Sequence, residues 1–584
     1  MTISALFLSA ALPALAVFPA PERSTAPITI VFPGEKTVLP PTEGELVIGN
    51  VSDPAGVFQI NGQTVAVHKD GAFLAWVGVS PGTFTLNAAL TRGTTVHTLE
   101  RPIFVTPAMA ALPEKPVAFD PAYVSPKTDE ELRAGDWLLT RAKVSIGSRA
   151  EFRVGKHGQW QPMRDLHPGL GLVEGAYLVQ ADDQIGPTQV EFRAHRDAGL
   201  STLKSPGQVS FLRTTPQIAA IRGQTPVVVR TGPGENNLFY ALGGTRFVTT
   251  GRKGKEVKVA LSNGQTGWID ANALEFFPPG AQPPRAETST IGIRTLDGNS
   301  SVRIGLGDRV PAIIEESEDL STLTIRLHYT YLHTNWIVYN STDEFVDEIR
   351  LKQETADIVA ITVRLKPGRK LWGWWPAWEG NALRVDLKRP PKMLKGGPLA
   401  GVRVFLDPGH MPSAPGAIGP LGTKEMDVNL ALAQEAAKII AKEGGVPLLS
   451  RDGPADEVSL NDRPKLAVER KADVFVSVHN NFLGGESNPF KGGPHGYSIF
   501  YYHPHSLALA RAVYEGYQKH VPLPGEDLRF GDLLVCRLSA MPAILTETAY
   551  LTYPEQEALL LDAGFRSKVA QGLVDGLRSF LKKR

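Results

Sequence analysis

The apolar pattern of this chain changes period once, after LKGGPLAG, and no single architecture accommodates both sides of that change. Before it, short runs alternate apolar and polar residues between turn signals, as half-buried strands do. After it, VRVFL, VPLLS, DVFVSV, YSIFYY and AILTE read as buried strands. Between and after them, MDVNLALAQEAAKIIAKEGG, SLALARAVYEGYQKH and the C-terminal stretch place apolar residues at helical spacing. Strands alternating with helices predict an α/β sheet, mostly parallel. At 584 residues the chain also exceeds one core, and roughly 150 residues per domain gives about four domains. The expected fold is therefore multidomain: all-β N-terminal modules followed by a C-terminal α/β domain over residues 400–584.

The N-terminal modules are bounded by punctuation. Residues 26–106 carry NGQ at Asn61, KDG at Lys69 and SPG at Ser80 between short strands, which predicts a β-sandwich; it loosely resembles the immunoglobulin-like modules of bacterial surface proteins. Residues 107–134 are rich in Pro and Ala and read as a linker, and residues 135–213 as a further β module. Residues 216–278 contain PVVVRTGPGENN, YALGGTRF and GQTGWIDANAL, and resemble the bacterial SH3-like module. Residues 286–393 are strand-rich and hold Trp372, Trp374, Trp375 and Trp378, readable as a glycan-stacking platform or as core aromatics, the latter being commoner on strands.

Composition narrows the partners. The net charge of +1 gives no electrostatic case for nucleic acid or an acidic membrane. MTISALFLSAALPALA has the length of a signal-peptide apolar region, with Ala14 and Ala16 offering a cleavage site, so residues 1–18 are expected to be a signal peptide. That stretch is short of the ~20 residues a spanning helix needs, so no integral membrane segment is expected after signal removal. With Cys536 as the one cysteine, no intramolecular disulfide forms; in LLVCRLSAM it reads as a small buried hydrophobe rather than a nucleophile.

The C-terminal domain carries the chemistry. VFLDPGH ends at His410, DVFVSVHNN carries His479, and AILTETAYL carries Glu547, each just past an apolar strand. Glu425, in GTKEMDVNL, opens a helix near the same edge. In open α/β sheets, sites form beyond the carboxyl ends of the strands. Two His, one carboxylate and a separate free carboxylate are what a hydrolytic zinc site needs. Each residue also has an ordinary explanation: a hydrogen-bonded strand-end His, a Glu complementing a helix dipole, or a Glu satisfying turn donors. Their joint placement favours the metal reading.

DPGH…GTKEMDVNL…SLNDR…ADVFVSVHNN…GYSIFYY…MPAILTETAYLTYPEQEALL resembles the zinc-dependent N-acetylmuramoyl-L-alanine amidases of the Amidase_3 type, with every motif in order from about Gly401 onward. The resemblance implies that His410, Glu425 and His479 bind Zn²⁺ and that Glu547 is the catalytic acid/base. It implies cleavage of the amide between the lactyl group of N-acetylmuramic acid and the L-alanine of the stem peptide. The strand-rich region before it resembles the AMIN-type wall-targeting domain of such enzymes. Asn480, His495 and Arg463 are expected to touch substrate, Arg463 having a structural ion pair as its alternative. Asp407 and Asn429 are expected to support the ligands from behind, and His503 and His505 to lie on the surface.

The segment TETAY departs from the family's usual VELGF, and Asn480 and Asn481 stand where a small residue is common. Some relatives block their zinc with a long helix inserted after the second histidine motif. Here FLGGESNPFKGGPH is short and Gly-rich, so no such block is expected. The expected partner is peptidoglycan, both glycan strand and stem peptide, in the periplasm, the cell wall or the medium, with room for an envelope activator protein. The competing readings are a non-catalytic wall-binding scaffold and a different zinc hydrolase of the wall, such as a carboxypeptidase or endopeptidase.

Overall fold

The computed structural model describes residues 25–212, 216–485, 487–493 and 495–582; the expected signal peptide lies outside the described residues. The chain divides into two units. One comprises Met1–Ala108, Lys370–Trp374 and Lys388–Arg584, and the other Met109–Arg369 and Trp375–Leu387.

In the first unit, the N-terminal part is a two-sheet sandwich. Ile28–Phe32, Gly44–Val51 and Ala72–Gly78 form one sheet, and a second is built around the long hairpin Gly82–Arg92 and Thr95–Val105. Ile30, Val47, Phe58, Phe73, Leu86 and Ile103 fill the space between the sheets.

The remainder of this unit is a six-stranded sheet with helices. Its strand order is Val446–Leu449, Arg403–Pro408, Val474–Asn481, Ala543–Tyr550, Tyr497–Tyr501 and Gly525–Phe530. All pairings are parallel except that of Tyr497–Tyr501 with Ala543–Tyr550. The central strands are almost wholly buried, which is why they read as unbroken apolar runs. The edge strand Gly525–Phe530 was not expected: GEDLRF is mostly polar and partly exposed, as suits an edge that must not pair further.

The helices are α1 (Glu425–Lys442), α2 (Asp462–Glu469), α3 (Pro504–His520), α4 (Pro554–Leu561) and α5 (Ala563–Lys582). Residues of α1, α3 and α5 share one core with Val404, Leu406, Val476, Ile499 and Ile544 of the sheet. Trp372 and Trp374 belong to this unit's interior. Trp372 is 5% exposed, stacks on Phe580 with ring centroids 4.8 Å apart, and donates Nε1–H to the Asp473 carbonyl at 2.8 Å. Neither ring is free to stack on a glycan.

In the second unit, the segment expected as a linker is structured. Val124 is buried, and Glu130–Leu132 forms a strand that pairs parallel with Gly199–Phe211 and antiparallel with Arg246–Lys253. That strand merges the sheets of residues 135–213 and 216–278 into one. The first of these regions has its core around Phe152, Phe192 and Phe211, the second around Val229, Phe247 and Ile269. Two further sheets are formed by strands between Ala286 and Lys388.

Candidate active site

The site is assembled at the carboxyl ends of the three central strands. Arg403–Pro408 runs into Gly409, whose N–H bonds to the Val478 carbonyl of the neighbouring strand at 2.9 Å. His410 follows with φ of 67°, a left-handed conformation that a non-glycine residue adopts only when its surroundings hold it there. Arg463 does much of the holding: it donates to the carbonyls of Pro408 at 2.8 Å and His410 at 2.6 Å, and to Asp407 Oδ1 at 2.7 Å. Asp407 also accepts from Ser450 and Ser477, both at 2.7 Å.

Arg463 and Asp407 are 3% and 0% exposed. Arg463 is therefore the internal ion pair of its alternative reading, not a substrate contact. Asp407 shapes the turn through that pair and does not bond to the His410 ring among the described contacts.

Glu425, the first residue of α1, is the hub. His410 Nε2 lies 2.9 Å from its Oε2, and His479 Nδ1 lies 3.1 Å from its Oε1. The carboxylate is fixed by the backbone N–H groups of Ala417 at 3.0 Å and Asn480 at 3.1 Å, and by Asn429 Nδ2 at 3.2 Å. Burial alone would raise the Glu425 carboxyl, but hydrogen bonds and charge from His410 and His479 hold it well below the usual carboxylate range. One ligand atom from each of these residues lies within 4.8 Å of the others. Glycine is required beside them: a Cβ on Gly409 would strike the His479 ring, and one on Gly416 the Glu425 carboxylate and the His410 ring.

Glu547 sits directly across the parallel strand pair from His479. Its Oε2 is closed to solvent and has no hydrogen-bond partner among the described residues. Burial, together with the Glu425 charge, pushes its carboxyl well above the ordinary value, against an opposing pull from Arg529.

Of the remaining expected residues, Asn429 donates Nδ2–H to Glu425 Oε1 at 3.2 Å. Asn480 is 2% exposed; its side chain donates to Asn429 Oδ1 at 2.8 Å, so it points inward toward the Glu425 carboxylate's support. His495 is half-buried, stacks on Tyr553 at 5.2 Å and lies 3.5 Å from Glu526, which Tyr550 also bonds. His505 is buried against the Met541 carbonyl, not on the surface. Cys536 is buried with its thiol pushed up to about 12, which removes it as a nucleophile. No helix lies among the described residues between Asn481 and Tyr497.

Sequence reasoning missed two buried charges that hold the turns. Arg451 donates to the Pro408 and Gly409 carbonyls at 3.3 and 3.1 Å. Glu557 of α4 accepts the Leu421 N–H, and burial pushes its carboxyl up to about 7. A charge beside a strand end or inside an apolar helix was the available signal.

Residues 404–579 match the family model Amidase_3, N-acetylmuramoyl-L-alanine amidase. A Staphylococcus epidermidis protein described as "Probable cell wall amidase LytH" is 30% identical over 210 residues, 36% of this chain and 67% of that protein. The chain belongs to the Amidase_3 family of N-acetylmuramoyl-L-alanine amidases. It is thus a peptidoglycan amidase of cell wall remodelling. The amidase LytC of Bacillus subtilis is 30% identical over 203 residues, 35% of this chain and 40% of LytC. Among solved structures, the catalytic domain of the amidase CwlV from Paenibacillus polymyxa is 31% identical, covering 31% of this chain and 99% of that one, with a TM-score of 0.29. Amidase AmiC2 of Nostoc punctiforme is 30% identical, covering 31% and 99%, with a TM-score of 0.29.

Proposed function

We propose that this amidase is a zinc enzyme, with His410, Glu425 and His479 as the metal ligands and Glu547 as its acid/base. What supports this reading is the convergence of two imidazoles and a carboxylate beside one carboxylate oxygen that has no hydrogen-bond partner among the described residues. Two imidazoles and a carboxylate suit zinc, and a three-ligand set leaves a coordination position open. Bound zinc would supply Lewis acidity at the scissile carbonyl and lower the pKa of an attacking water.

The chain's own residues supply the rest. Glu425, pinned by Ala417, Asn429 and Asn480, keeps its negative charge and orients both imidazoles. Glu547 takes a proton from the attacking water on its free carboxylate oxygen, then delivers it to the L-alanine nitrogen. The carbonyl carbon gains a C–O bond and loses its C–N bond, leaving a lactyl carboxylic acid and a stem peptide with a free amine. The substrate lies outside the cytoplasm, so the protein is read as exported. No helix among the described residues is long and apolar enough to cross a membrane.

Glu547→Gln should retain zinc at wild-type stoichiometry while its turnover of purified sacculi drops by at least about a thousandfold. Mass spectrometry of the wild-type digest should find stem peptides beginning at L-Ala. Retained turnover in the variant, or products lacking only a terminal D-Ala, would overturn the assignment.

A further inference from the structure

We propose that the N-terminal β-sandwich is a positioning part of the catalytic apparatus, bracing the loops that follow His410 and His479; this rests on the reading of those histidines as ligands. Side chains of a strand alternate between the faces of its sheet, so a sandwich standing alone buries one face and wets the other. Gly44–Val51 does not follow that rule, because every one of its residues is buried. Val47 and Val51 fill the sandwich core, whereas Leu46 and Ile48, of opposite parity, are 0% exposed and lie outside that core. Something else covers them.

Neighbouring groups of the same sheet reach the loops of the catalytic sheet. Asn50 Nδ2 donates to the Pro420 carbonyl at 2.7 Å, and the pair is buried. The Leu46 N–H reaches the Gly485 carbonyl at 3.4 Å, and the rings of Phe32 and Phe482 meet edge to face with centroids 5.9 Å apart. A side chain on Gly485 would collide with the Glu45 carboxylate. Pro420 lies in the loop 411–424 that joins His410 to Glu425, and Phe482 and Gly485 lie in the loop that leaves the His479 strand.

These loops need outside support. MPSAPGAIGPLGTK, residues 411–424, forms no strand or helix; it is tied by isolated bridges at Met411–Ala414 and Ile418–Lys424, by short turn bonds such as Gly422 N–H to the Gly419 carbonyl, and by Ser413 to Glu457. Its Ala417 N–H nonetheless has to stay on Glu425 Oε2. Glu557 grips the loop from α4 through Leu421, and Asn50 grips the adjoining Pro420 from the sandwich. A short irregular loop gripped at neighbouring residues by separate elements opens less often than one held by its own turns.

The test uses the full-length protein carrying Asn50→Ala with Phe32→Ala, with Val96→Ala, an exposed site elsewhere on the sandwich, as control. Hydrogen exchange of the metal-free protein should speed up by on the order of tenfold in residues 411–424 and 482–485, with the strands at 403–408 and 543–550 unchanged. Zinc should be lost to a competing chelator at lower chelator concentration, and kcat should fall with KM nearly unmoved. Phe32→Tyr, which keeps the ring, should leave the Phe482 loop at its wild-type rate. Unchanged exchange in both loops overturns the proposal. Should the double variant unfold the sandwich, Asn50→Ala alone, which spares the sandwich core, decides it by the same readout. Loop exchange reads the brace whether or not the protein holds zinc, and sacculus turnover by the wild type reads the enzyme whether or not the brace exists.

Discussion

Glu547 and Arg529 show how a distant charge sets the working range of the site. Burial and the Glu425 charge push the Glu547 carboxyl up, and the Arg529 guanidinium pulls it down. A base must be ionised to accept a proton, so activity falls as pH drops through the value at which Glu547 protonates. Arg529→Gln removes the downward pull, which raises that value further. The acid limb of the kcat/KM profile should therefore move to higher pH. An acid limb that stays put or moves lower would show that Glu547 is not the group it reports. At this scale the convergence of His410, Glu425, His479 and Glu547 was legible in the sequence, because each sits at a strand end or helix start. Asn480 and Arg463 were assigned to substrate, yet they point inward onto Asn429 and Asp407. Periodicity marks a residue's element, but not whether a loop folds back over it.

Glycines set the packing of α3 against α5. A Cβ on Gly516 would strike the Gly572 carbonyl oxygen, and one on Gly576 would press on the Val513 backbone. Glycine inside a helix costs about 1 kcal/mol relative to alanine, so on propensity alone Gly516→Ala would stabilise. The collision is with backbone, which cannot swing aside, and forcing bulk into a filled interface costs typically about 1–3 kcal/mol. The clash should win, and Gly516→Ala should lower the midpoint of thermal unfolding; an unchanged or higher midpoint would mean that the helices part at little expense. The helices themselves were readable from their 3.6-residue spacing. The edge strand Gly525–Phe530 was not, since an edge strand buries little and its sequence stays polar.

The chain's two units each enclose their own cores, one with the sandwich and the catalytic sheet, the other with the remaining β modules. Two separately cored units predict at least two transitions in scanning calorimetry. A ligand that binds only the native state raises the midpoint of the unit that holds it by mass action. Added Zn²⁺ should therefore raise one midpoint and leave the other where it was; a uniform shift, or none, would contradict a single zinc site in the first unit. By itself the sequence determined the order of element types, the change from β modules to an α/β domain, and the four side chains that meet at the candidate site, because those follow from local periodicity and strand-end placement. Only the tertiary structure decided that the supposed linker at Glu130–Leu132 joins two sheets, that Trp372 is core, and that the N-terminal sandwich lies against the loops that follow His410 and His479. Those outcomes depend on which buried faces meet between segments far apart in the chain, and a strand's sequence records that it must be covered without recording by what.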